Sequence, residues 1–99
     1  METYMIRRRS AWQSPDELEA TAKRSGEVAG EEFPDDIAWI RSYVVQEEDG
    51  TLGTFCVYQA SSEDKVREHA SRVGMPADDI EKIVDTVVIR PDPEPATAG

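Results

Sequence analysis

The sequence is poor in the residues that most site chemistry needs. It holds one cysteine, Cys56, and one histidine, His69. A single thiol cannot close an internal disulfide, which fits a reducing compartment and excludes a disulfide scaffold. No H-x-x-x-H or H-E-x-x-H pair, no cysteine cluster and no phosphate-cradling glycine loop is present. Basic residues are scarce too: 11 Lys and Arg stand against 21 Asp and Glu, for a net charge of -10. Such a field repels nucleic acid and anionic membrane, so neither is expected as a partner. No stretch approaches the roughly 18 apolar residues of a spanning helix, and no apolar run follows the N-terminal arginines. A cytoplasmic protein is expected on these grounds.

What remains is enough for one domain, since 99 residues can bury roughly two-thirds of their unfolded surface without a disulfide or structural metal. The strongest strand signal runs from Ile37 to Ala60. Two runs rich in aromatic and β-branched residues, I-A-W-I-R-S-Y-V-V-Q and G-T-F-C-V-Y-Q-A, flank the turn Glu47-Glu48-Asp49-Gly50. Asp-Gly between such runs marks a hairpin, because glycine accepts the positive φ of a tight turn. Strict alternation puts Ile40, Ser42 and Val44 on one face of the first strand and Trp39, Arg41, Tyr43 and Val45 on the other. In the second strand Phe55, Val57 and Gln59 oppose Cys56, Tyr58 and Ala60. Both faces are apolar, so both need a cover: helices on one, and most simply a second copy of the chain on the other.

The flanking elements follow in order. Thr3 to Arg9 reads as a strand whose arginines alternate in direction and reach solvent or acidic partners. Ser14-Pro15-Asp16-Glu17 opens a helix as cap, first-turn proline and capping-box glutamate. Leu18, Thr21 or Ala22, Ser25 and Val28 form its inward stripe, and Gly26 and Gly30 are expected to loosen its second half. Ser61-Ser62 begins a second helix with Val66, Ala70 and Val73 inward, His69 bordering that face and Gly74 ending it. Ile80 to Ile89 supplies a last strand, placed at Ile83 to Ile89. The order βαββαβ implies a ferredoxin-like α+β sandwich over residues 3–90, a four-stranded antiparallel sheet with two helices on one face. Pro91 to Gly99, with three prolines and no large apolar side chain, is expected as a disordered tail.

Four stretches, W-I-R-S-Y-V (Trp39 to Val44), F-C-V-Y (Phe55 to Tyr58), V-R-E-H-A (Val66 to Ala70) and G-M-P-A-D-D-I (Gly74 to Ile80), resemble a family of small bacterial ferredoxin-like proteins, long catalogued as a domain of unknown function, that includes a nickel-binding protein. The resemblance covers about residues 3 to 89. It implies a homodimer closed as a dimeric α+β barrel, and binding of nickel or another divalent transition metal. It supplies no ligand set.

The residues themselves offer His69, Cys56 and Tyr58 as metal donors. Imidazole suits nickel, zinc and copper; a helix-edge histidine bonded to a neighbour is the plainer reading. Cys56 is a soft ligand or a small strand hydrophobe. Tyr58 offers a phenol to a cavity or packs with its hydroxyl at a rim. Arg41 reads as a carboxylate binder or as one half of a cross-strand pair, and the carboxylates of the 47–49 turn as a weak oxygen site or a solvated loop. Three functions are open: a dimeric metal-binding protein, which we favour; a small-molecule binder or enzyme using the barrel interior, with His69 as acid or base and Tyr58 or Arg41 orienting the ligand; and an interaction module without a site.

Overall fold

A computed structural model describes residues 1–94 of the chain. The elements run β1 (Glu2–Trp12), α1 (Pro15–Glu32), β2 (Ile37–Gln46), β3 (Leu52–Ala60), α2 (Glu63–Val73) and β4 (Asp79–Ile83). The strands form one antiparallel sheet of order β2-β3-β1-β4, the ferredoxin-like arrangement, with both helices packed on one face. Among the described residues no helix is long and apolar enough to cross a membrane.

Local chemistry sets the boundaries. Ser14 is extended and its hydroxyl accepts from the Glu17 amide at 3.3 Å, while the Glu17 carboxylate accepts from the Gln13 amide at 3.2 Å. The first bond satisfies an amide that the first turn leaves without a partner, and the second ties the residue before the cap to that turn. Ser62 caps α2 in the same way, and Gly74 closes it in the left-handed region. The hairpin turn places Gly50 at φ 88, the conformation expected from Asp-Gly. Gly53 serves a different purpose: a Cβ there would come within 2.6 Å of the Arg8 carbonyl oxygen, so only glycine lets β1 and β3 close at that point.

Four expectations need correction. Gly26 and Gly30 do not loosen α1, which runs unbroken to Glu32. Both glycines are exposed, and Ser25, Val28 and Ala29 anchor that half of the helix. Nothing lies within 4 Å of a Cβ added at Gly26, so Gly26→Ala is expected to stabilise the protein by about 0.5–1 kcal/mol, read as a raised urea midpoint at constant m.

Trp39 does not share a face with Arg41 and Tyr43. The β2–β3 register breaks between Trp39 and Arg41, so Ile40 is a bulge residue and alternation shifts by one. Trp39 therefore turns to the helix side, where its ring stacks on Tyr58 at 6.0 Å.

Arg8 does not reach solvent. Strict alternation along β1 sends Tyr4, Ile6 and Arg8 under the helices, and Arg8 is 1% exposed. Beyond it the register shifts around Ser10, held at φ 46 with its amide bonded to Glu47 at 2.8 Å. That kink returns Trp12 to the buried side.

The last strand is Asp79–Ile83, not the β-branched run after it. Thr3 already pairs with Ile83, and β1 begins at Glu2, so the chain beyond Ile83 has no strand to pair with. It leaves β4 at one edge of the sheet and reaches β2 at the other. There Asp92 accepts from Arg41 Nη1 at 2.8 Å and from the Tyr43 hydroxyl at 2.6 Å. Asp92 is thus attached to the sheet, whereas residues 95–99, the end of the expected disordered tail, lie outside the described residues.

Candidate functional site

The sheet separates the candidate residues into two groups. On the helix side, Tyr4, Ile6 and Arg8 of β1 stand opposite Tyr58, Cys56 and Thr54 of β3, and α2 lowers His69 against them. The His69 ring is fully buried, edge-on to Phe33 at 5.9 Å and tilted against Tyr58 at 5.5 Å. Its Nε2 lies 3.1 Å from the Ser25 carbonyl oxygen. A carbonyl only accepts, so Nε2 carries the proton and Nδ1 is a bare lone pair, buried and without a partner among the described residues. Burial, then the positive field of Arg8, hold this imidazole below its ordinary pKa, with the Ser25 bond opposing. The Tyr58 hydroxyl pairs with Ser25 Oγ at 3.1 Å, and burial pushes its pKa up. Cys56 Sγ accepts from Ser42 at 3.1 Å and donates to Thr54 at 3.2 Å.

Tyr58 and His69 are therefore brought together, and Cys56 lies on the same side, but as parts of a satisfied core. Arg8 decides the electrostatics there. Its Nη1 donates to the Pro76 carbonyl at 2.6 Å, its guanidinium lies 5.8 Å from the Tyr58 ring centre, and no carboxylate pairs with it among the described residues. Among those residues no three His, Cys, Asp or Glu are grouped to hold an ion. The bare Nδ1 is a competent donor, but a dication beside a buried guanidinium without an anionic ligand meets repulsion in a low dielectric. The helix-side residues do not fit nickel.

On the other side no helix covers the sheet. Paired positions on neighbouring strands point the same way, so the registers place Arg41, Val57, Met5 and Glu81 in one row across all four strands, and Tyr43, Phe55 and Arg7 in the next. Ile40, Tyr43 and Phe55 are 46%, 41% and 38% exposed. The chain from Asp85 to Val88 runs beside this face and bounds a groove of about 660 Å³ with Met5, Arg41, Tyr43 and Val57. Arg7 lies over the Phe55 ring at 4.5 Å and is paired with Glu47 at 2.8 Å. Glu47 is held below the usual carboxylate range by Arg7 first and by the Ser10 amide next. With Asp49 bonded to Thr51, two carboxylates of the acidic turn are taken up in the fold rather than offered to a cation.

The sheet stands between His69 and Arg41, so of the two residues expected to orient a ligand beside His69 in the small-molecule reading, Tyr58 or Arg41, only Tyr58 meets it. Sequence reasoning missed Arg8 and Trp12. The signal for Arg8 was the period-two pattern Tyr4, Ile6, Arg8, which puts it on the apolar face; its charge argued instead for solvent or an acidic partner. For Trp12 the same even spacing was the signal, hidden because the expected strand ends at Arg9; across the kink at Ser10 the register keeps that parity.

A βαββαβ sandwich with one sheet face covered by helices and the other bare defines a small ferredoxin-like α+β protein. The chain belongs to the SCO4226-like family, described as nickel responsive proteins, whose model matches residues 4–83. It is similar to the solved structure of SCO4226 from Streptomyces coelicolor A3(2), at 15% identity and a TM-score of 0.67, over 86% of this chain and 99% of that one. At that identity the likeness speaks for the fold. No curated protein matches the sequence.

Proposed function

We propose that the protein is a homodimer that stacks open sheet face on open sheet face and binds a divalent ion, nickel in the first place, at the rim of that join. The observation that carries the reading is the bare face itself. Ile40, Tyr43 and Phe55 stand exposed, and Val87 and Val88, 82% and 70% exposed, line the groove with Ile40 and Tyr43. Contiguous apolar surface of this kind marks an interaction site, and a twofold join of the face on itself removes it from water without a second kind of protein.

The metal part of the proposal rests on the family name, and carboxylates at the edge of the face are the donors we propose. One chain groups no three ligating side chains among its described residues, so a multidentate site needs both copies. Glu81, in register with Met5, and Asp85, on the groove wall, put carboxylate oxygens at the edge of the face. Oxygen donors hold nickel less tightly than imidazole does, and the charge of -10 raises the local concentration of dications.

The test is sedimentation of the untagged protein with and without nickel, alongside calorimetric titration. The expected result is a dimer that binds nickel. Tyr43→Glu should give a folded monomer whose affinity is at least about tenfold weaker, whereas His69→Gln should keep nickel affinity. A wild-type monomer at tens of micromolar, or full binding by the monomeric variant, would overturn the proposal.

A further inference from the structure

Beyond β4 the chain exposes a block of branched apolar side chains. Val84, Val87, Val88 and Ile89 are 88%, 82%, 70% and 83% exposed. A loose tail would account for them, but this segment is tied at both ends: Ile83 pairs with Thr3 on β1, and Asp92 accepts from Arg41 and Tyr43 on β2. It is an arm laid along the open face, and between its two ties it does not settle into that face. Asp85 to Val88 bound the groove of about 660 Å³ without filling it. An arm that served to hide the face would bury its branched side chains against Met5 and Val57; these are left in water. The family model ends at residue 83, so the arm lies beyond the matched residues.

We infer that the arm is a contact surface for a second copy of the chain: its branched side chains pack on the partner's open sheet, so each copy brings an arm as well as a face to the join. The inference rests on the face-on-face dimer proposed above and names the segment that holds the copies together. Area favours this occupant. Strands of 11, 10, 9 and 5 residues make a face on the order of 500 Å², at about 3.3 Å per residue and about 4.8 Å between strands. A standard stable interface takes roughly 800 Å² from each partner. A branched side chain fully removed from water supplies about 60–120 Å², so the four on the arm make up the difference. Shape agrees with area. Phe55, one row on from Val57, lines no part of the groove and is 38% exposed. A ridge beside a bare strip on one face is self-complementary under a twofold axis, because each copy's ridge meets the other's strip. Arg7, which lies over Phe55, is already paired with Glu47, so covering that strip leaves no charge alone.

The experiment is sedimentation equilibrium of the full, untagged chain over a dilution series. Val87→Ser combined with Val88→Ser should weaken the dimer by about tenfold or more. Both side chains are exposed in the single copy, so the urea midpoint measured where the chain is monomeric should not move. Asp92→Ala frees the far end of the arm and should weaken the dimer by about threefold, because a loose arm has to be ordered on association. A serine variant that pairs as tightly as wild type would overturn the inference. An unchanged or tighter dimer in Asp92→Ala would overturn it too, and a tighter one would make the arm a cover that competes with the partner. Phe55→Glu tells the two readings apart: if it breaks the dimer and the serine variant does not, the face-on-face join stands without the arm, whereas a wild-type monomer removes both.

Discussion

Tyr58→Ala is expected to destabilise the protein by about 3–5 kcal/mol, the range for truncating a large buried aromatic. The side chain is 1% exposed and meets a different element on each side: Trp39 of β2, His69 of α2, Arg8 of β1 and, through its hydroxyl, Ser25 of α1. Deleting it leaves a cavity that no single neighbour can fill without breaking another contact. A domain of this size has about 5–15 kcal/mol in total, so the variant should be partly unfolded at 37 °C. Tyr58→Phe separates the ring from the hydroxyl. It loses the bond to Ser25 and should cost only about 0.5–1.5 kcal/mol. Urea unfolding of both variants checks the assignment; an alanine variant within 1 kcal/mol of wild type would show that the ring is not the joint between sheet and helices.

How much of this was legible depends on whether the signal was local. The hairpin, the caps at Ser14, Ser62 and Gly74, and the βαββαβ order each rest on a few adjacent residues whose conformational preferences agree, and all are found as read. Failures came where a distant partner decides. Val84 to Ile89 has better strand composition than Asp79 to Ile83, but β1 stops at Glu2 and offers the later residues nothing to pair with. Trp39 changes face because of a bulge at Ile40, and no pattern in the β2 sequence announces it. The candidate site suffered most. His69 borders the apolar stripe of α2 by spacing alone, yet only the packing of α1 carries the ring into the core, and only the burial of Arg8 reverses the charge a ligand there must have. The open face, by contrast, was readable from the apolar character of both sides of the hairpin.

Below about pH 6.5 the protein should lose stability because of His69. In the unfolded chain the imidazole titrates near its ordinary value of 6.5, whereas in the fold burial and then Arg8 lower it, with the Ser25 bond and Glu32 opposing. As pH falls below 6.5 the unfolded state takes up a proton that the native state refuses. The contribution is therefore complete above 6.5 and is lost going down toward the folded pKa, at up to about 1.4 kcal/mol per pH unit. Other carboxylates held low in the fold, Glu47, Asp49 and Asp92, start from ordinary values of 4.5, 3.8 and 3.8, so their losses begin below that window. Between pH 6.5 and 5 the wild type should lose up to about 2 kcal/mol while His69→Gln stays nearly flat, whatever its absolute stability. Equal slopes in the two proteins would mean that the ring can charge in place, and hence that water reaches Nδ1.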